Sequence, residues 1–157
     1  MNLEELQAEL QGLVGQTVTF KRIACNSIIV YFFGEPGDES VVSVFIDPSW
    51  RYQKNGKVVV GSYDLQTEES DFDSREEYEE SFSRQCALTD GIHASRLISC
   101  AVDLESSDLT MGFSDGQMLR NFANSGVDDK AWTYRNLPQG LTAIVSPMGV
   151  RLWNGKR

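Results

Sequence analysis

Few residues in this 157-residue sequence could do chemistry, and those few are widely spaced. It has one histidine, His93, and three cysteines, Cys25, Cys86 and Cys100. A cysteine becomes a nucleophile when an imidazole takes its proton and a third group orients the ring. Cys86 and His93 are close enough to raise that chemistry. No residue beside them orients the histidine or supplies an oxyanion site, so three small, mostly buried apolar cysteines are the expectation. Structural zinc wants four Cys or His ligands in closely spaced pairs, and no Cys-x-x-Cys occurs. Asp103, Glu105 and Asp108 are near enough to prompt calcium or magnesium. They lack the dense alternation of an EF-hand loop, so a turn with solvated acids is expected between Val102 and Leu109. There is no Gly-x-Ser-x-Gly elbow, phosphate-binding loop, dinucleotide fingerprint or His-Glu-x-x-His. The sequence thus assigns no catalytic, cofactor-binding or metal-ligating residue, and it predicts a non-enzymatic protein.

Charge supplies the other candidate. The net charge is −9, and residues 68–80 hold eight acids and one base. The acids are Glu68, Glu69, Asp71, Asp73, Glu76, Glu77, Glu79 and Glu80. Such a patch suits a basic protein partner. The plainer account is a solvated linker entering a helix whose first acids complement the helix dipole. So acidic a chain is a poor nonspecific binder of nucleic acid, because the phosphate backbone demands a basic footprint. No apolar stretch reaches the roughly 18 residues of a membrane span. The N-terminus reads as an acidic amphipathic helix rather than a secretory signal. With an odd number of scattered cysteines, these features predict a cytoplasmic protein. Oligomeric state is left open.

The aromatics repeat. Trp50-Arg-Tyr52 and Trp132-Thr-Tyr134 are the same phrase, each leading through a Gly-bearing turn into a short apolar strand ending in Ser. Tryptophans at equivalent places of two halves are expected as buried hairpin anchors. Trp153, near the C-terminus, joins the eight acids as an expected partner-binding residue.

The elements that must position these residues fall into two passages. In the first, Asn2 and Glu5 make a capping-box variant, and Leu3, Leu6, Leu10 and Leu13 form one helical stripe, ended by Gly12 and Gly15. Strands follow over 17–20, 28–33 and 41–46. Asn55-Gly56 then joins 50–53 to 57–60 as a hairpin. In the second, Ser74 and Glu77 predict a capping box, Tyr78, Phe82 and Cys86 a buried stripe, and Gly91 a helix stop. Strands are expected over 97–102, 108–113 and 118–122, the last two around an Asp115-Gly116 turn. A loop covers 124–129, strands 132–135 and 141–145 form a hairpin, and 150–153 adds a short strand. The fold class is therefore α+β: two related helix-plus-antiparallel-meander halves packed into one mainly antiparallel β domain. The halves are 1–64 and 74–157, joined by an acidic connection over 65–73 into one globular unit.

Residues 85–153 resemble a small bacterial domain family of unknown function associated with polymorphic toxin and immunity loci. The resemblance rests on Asp108-Leu-Thr-Met-Gly-Phe-Ser-Asp-Gly116, Leu119, Asp129-Lys-Ala-Trp132 with Tyr134, Gly140, Val145-Ser-Pro-Met-Gly149 and Trp153. The first half matches best at Asp47-Pro-Ser-Trp50. It implies a bacterial accessory protein of the immunity type and transfers no catalytic residue. Two functions are thus expected: a protein-binding module that occludes a basic toxin domain, or a small-ligand-binding domain or unfamiliar enzyme with its site in the cleft between the halves.

Overall fold

The computed structural model describes residues 1–65, 67–122 and 129–153. The chain is α+β and mainly antiparallel, with two α-helices and eleven strands in two sheets among the described residues. The helices are α1 (Leu3–Gln11) and α2 (Arg75–Ala87). The first five strands are β1 (Val18–Ala24), β2 (Ser27–Phe32), β3 (Val42–Ile46), β4 (Trp50–Lys54) and β5 (Lys57–Gly61). The rest are β6 (Leu97–Val102), β7 (Leu109–Phe113), β8 (Gln117–Asn121), β9 (Trp132–Asn136), β10 (Leu141–Ser146) and β11 (Gly149–Leu152).

The two passages interleave. One sheet has the order β1-β2-β3-β9-β10-β11, the other β5-β4-β8-β7-β6. Each passage lays a three-strand meander in one sheet and sends its next hairpin to the other. The register repeats this exchange. Trp50 pairs with Asn121 and Tyr52 with Leu119 across β4–β8. Trp132 pairs with Ile46 and Tyr134 with Val44 across β9–β3. All four aromatics are buried in one core drawn from both sheets, the anchoring role expected of both tryptophans. Burying an indole requires a partner for its N–H. Trp50 Nε1 donates to the Asn26 carbonyl in the β1–β2 turn, and Trp132 Nε1 donates to the Ser107 carbonyl in the β6–β7 turn. The passages also meet where they begin: Val18 N–H donates to the Ser95 carbonyl and Ala94 N–H to the Val18 carbonyl.

The first helix serves a sheet edge. An edge strand leaves half its backbone groups unpaired. Along β6, Gln7 on α1 accepts from the Val102 N–H and donates to the Cys100 carbonyl, to which Gln11 also donates. Leu6, Leu10 and Leu13 enter the core as the stripe requires. Asn2 and Glu5 exchange both hydrogen bonds of a capping box.

The second helix departs from expectation. Ser74 accepts from the Glu77 N–H, but the Glu77 carboxylate accepts from the Asp73 N–H one residue upstream, so the reciprocal box does not close. No α2 residue is fully buried; Tyr78, Phe82 and Cys86 are half-covered. Tyr78 packs on Phe72 at 5.6 Å and on Phe82 at 6.4 Å, and Phe82 and Cys86 rest against the core. The helix stops at Ala87, capped by Leu88, and Gly91 lies in a following 3-10 turn, Asp90–Ile92. The first helix ends at Gln11 with Gly12 as its C-cap, as expected, ahead of Gly15. The expected loop over 124–129 falls outside the described residues except at Asp129. Among the described residues no helix is long and apolar enough to cross a membrane.

Candidate functional site

Alternation along each strand sends one set of side chains into the core and the next outward. On the six-stranded sheet the outward residues line up in two cross-strand rows. One runs Arg22, Ile29, Phe45, Thr133, Ile144, Arg151. The other runs Phe20, Tyr31, Ser43, Arg135, Thr142, and is continued by Trp153, whose N–H donates to the Thr142 carbonyl at 2.8 Å. A concavity of about 500 Å³ opens on this face. Its floor is Ile29, Phe45, Thr133 and Ile144, and Pro36–Asp38, Leu137 and Trp153 form its rim. It straddles the β3–β9 seam, so both halves of the chain supply its walls.

The charges here are specific. Lys130 Nζ sits 4.4 Å from the Phe45 ring centroid and 3.2 Å from Asp47 Oδ2. Burial pushes the Asp47 carboxyl above its ordinary value, and the Lys130 ammonium offsets part of that. Lys130 therefore carries its own counter-ion. Arg135 does not: it is exposed between Ser43 and Thr142 and has no ion pair or hydrogen bond among the described residues. The concavity thus offers aromatic and aliphatic surface, hydroxyls and one unmatched guanidinium.

The five-stranded sheet presents a different outer face. Its rows read Ala101, Thr110, Arg120, Arg51, Gly61 and Ser99, Gly112, Met118, Gln53, Val58. Where the first sheet carries Tyr31, the matching position is Gly112, and a Cβ there would collide with the Ser99 hydroxyl. The aromatic on this side, Phe122 just past β8, lies under Arg51 at 5.0 Å. A smaller depression of about 340 Å³ is walled by Asp103, Asp108, Thr110 and Arg120 among others.

The sequence-selected residues fall in separate places. All eight acids from Glu68 to Glu80 are exposed. Several are engaged locally: Asp71 accepts from the Glu68 N–H, and Glu79 pairs with Arg75 at 2.8 Å. Glu76, Glu79 and Glu80 share a shallow surface with Ser83 and Arg84, whereas Trp153, 62% exposed, lines the sheet concavity. Asp103 closes a turn by accepting from the Glu105 and Ser106 N–H groups, which hold its carboxyl below the ordinary range. This is the expected acidic turn, and no group of metal-holding residues occurs among the described residues.

Of the cysteines, only Cys100 is buried; Cys86 is half-covered and Cys25 exposed, a correction to the expectation that most are interior. All three are free thiols. Burial pushes the Cys86 thiol up, with Lys21 lowering it and Asp90 raising it less strongly, which opposes thiolate formation. The Cys100 thiol is pushed up to about 12 by burial.

Sequence reasoning missed Arg135, Phe45 and Tyr31. Alternation alone marks them as outward, but outward residues are ordinarily solvated. The clue available was Ile29, Tyr31 and Phe45 on the outer side of strands whose inner side is already apolar.

The fold and site together define an antiparallel two-sheet protein with a concave aromatic–basic sheet face. No family model, curated protein or solved structure matches this chain.

Proposed function

We propose that this protein is a non-enzymatic binding module whose ligand sits in the concavity on the outer face of the six-stranded sheet. One observation carries this reading: a concavity of about 500 Å³, walled by aromatic, aliphatic and polar side chains, lies across the seam of the two halves. Small-molecule sites have that size and composition, roughly 300–1,000 Å³ with a few placed polar groups. The matching face of the other sheet carries smaller and more polar side chains, so the scaffold alone does not require such a surface. A broad metabolite screen by thermal shift tests the reading. A ligand that raises the melting temperature, and loses that effect in Phe45→Ala, is the expected result. No stabilising compound across the screen overturns it.

A second reading follows from the resemblance to toxin-associated domains and from the full exposure of the acids over 68–80. Here the protein is an immunity-type inhibitor that occludes a toxin domain, in the cytoplasm of a bacterial cell. The acids attract a basic toxin surface, and Trp153 closes the contact. The free thiols are consistent with a reducing compartment. Co-expression with toxins encoded beside the gene is expected to rescue growth, and charge reversal across Glu76–Glu80 to weaken the rescue. Undiminished toxicity with every such toxin overturns this second reading.

The architecture also supports descent of both halves from one duplicated unit. The supporting features are the shared strand order, the matched registers of Trp50 and Trp132, and the two indole bonds to the first turn of each meander.

A further inference from the structure

Resting on the reading of the seam concavity as a ligand site, we propose that its ligand is a small aromatic monocarboxylate. Four observations select this class. First, a ligand that covers Arg135 must answer its charge. The guanidinium is exposed without a described partner and lies between the hydroxyl-bearing positions Ser43 and Thr142 in one cross-strand row. A guanidinium fork matches the two oxygens of a carboxylate.

Second, the charge supply is small. Lys130 is matched by Asp47 at 3.2 Å, and Asp38 stands on the rim. With Arg135 the charges around the concavity then come to about neutral, which tolerates a monoanion at the guanidinium better than a dianionic phosphate. Third, aromatic and aliphatic side chains make up much of the remaining wall. Tyr31, Phe45 and Trp153 face the space with Ile29 and Ile144, and rings stack on such walls. Lys130 already occupies part of the Phe45 face as a cation–π partner, which fixes that ring in place. Fourth, the overall charge of −9 keeps larger polyanions away, while a small monoanion pays little for that field. A nucleic-acid strand is disfavoured by the same argument.

Naphthoate, neutral naphthamide and naphthyl phosphate, titrated into isotopically labelled full-length protein, test this by amide chemical shifts. Naphthoate is expected to move the signals of Ser43, Phe45, Thr133, Arg135 and Thr142 in a saturable way. Naphthamide is expected to bind about tenfold more weakly at the same residues, the value of a charge-assisted hydrogen bond. Arg135→Gln is expected to erase the difference between acid and amide, while Trp153→Ala weakens both. Both substitutions are on exposed side chains, and an unchanged thermal midpoint confirms that each variant is folded. Equal binding of acid and amide, tighter binding of the phosphate, or full naphthoate affinity in Arg135→Gln overturns the carboxylate assignment while leaving the concavity a binding site. Signals that move elsewhere, or not at all, for all three probes overturn the assignment too. The concavity reading then stands or falls on the metabolite screen alone.

Discussion

The two sheets share an inner logic and differ in what they show to solvent. Inside, β4 and β9 each begin with a buried tryptophan, skip one residue, and bury a tyrosine. Outside, the residues between those anchors diverge: Arg51 and Gln53 on one sheet, Thr133 and Arg135 on the other. The neighbouring strands diverge further. Ile29, Tyr31 and Phe45 face out from the six-stranded sheet, against Thr110, Gly112 and Arg120 on the five-stranded one. Core packing constrains the inner set because each lost contact leaves a cavity. Outward positions carry no such penalty, so they are where a binding surface is free to arise. That contrast is what supports placing the proposed ligand on the six-stranded face.

The largest test of this comparison is in the core. Trp50→Ala and Trp132→Ala should each destabilise by roughly 3–5 kcal/mol in urea titrations. Similar costs support equivalent anchors, and a cost near zero for either breaks the equivalence. A second test uses the core residue Cys100, whose thiol is pushed up to about 12 by burial. Its folded value lies above its unfolded one, so its contribution is fully present below about pH 9 and is lost as pH rises toward about 12. Relative to Cys100→Ala, the native chain should lose roughly 2 kcal/mol between about pH 9 and pH 10.5. A matching alkaline slope in both proteins would place that thiol in water.

Smaller effects separate the outer faces. Phe45→Ala should reduce ligand-induced stabilisation to near nothing, while Met118→Ala on the opposite face leaves it intact. Equal loss in both would remove the functional distinction between the sheets. The smallest effect is expected on α2. Its Arg75–Glu79 pair is exposed on both sides, and exposed pairs contribute little. Breaking it with Glu79→Gln should leave the unfolding midpoint unchanged. Reversing Glu76, Glu77 and Glu80 should slow association with a basic partner at low salt only.

Much of the fold was legible because strand signals are local. The Asn55-Gly56 and Asp115-Gly116 turns lie between paired strands as expected, since both Asn55 and Asp115 adopt positive φ, 50° and 62°. The Leu3–Leu13 stripe became the docked face of α1. The α2 stripe misled: four-residue spacing of Tyr78, Phe82 and Cys86 reports a shared helix face, not what covers it. That face meets Phe72 at its start, and Phe82 and Cys86 lie against the core while remaining half-covered. Gln7 carried no readable signal either, because its role depends on an edge strand more than ninety positions away.

Alone, the sequence determined which segments are strands, where they turn, and that two phrases anchor them. Those properties follow from backbone propensity and side-chain alternation within a few residues. The tertiary structure decided which strands become neighbours. Each half sends its hairpin into the other's sheet, which brings Phe45 beside Thr133 and Ser43 beside Arg135. That pairing is fixed by burying one common core between two sheets, an energy that belongs to the whole chain. The concavity at the seam, and the unmatched charge of Arg135 within it, exist only as its consequence.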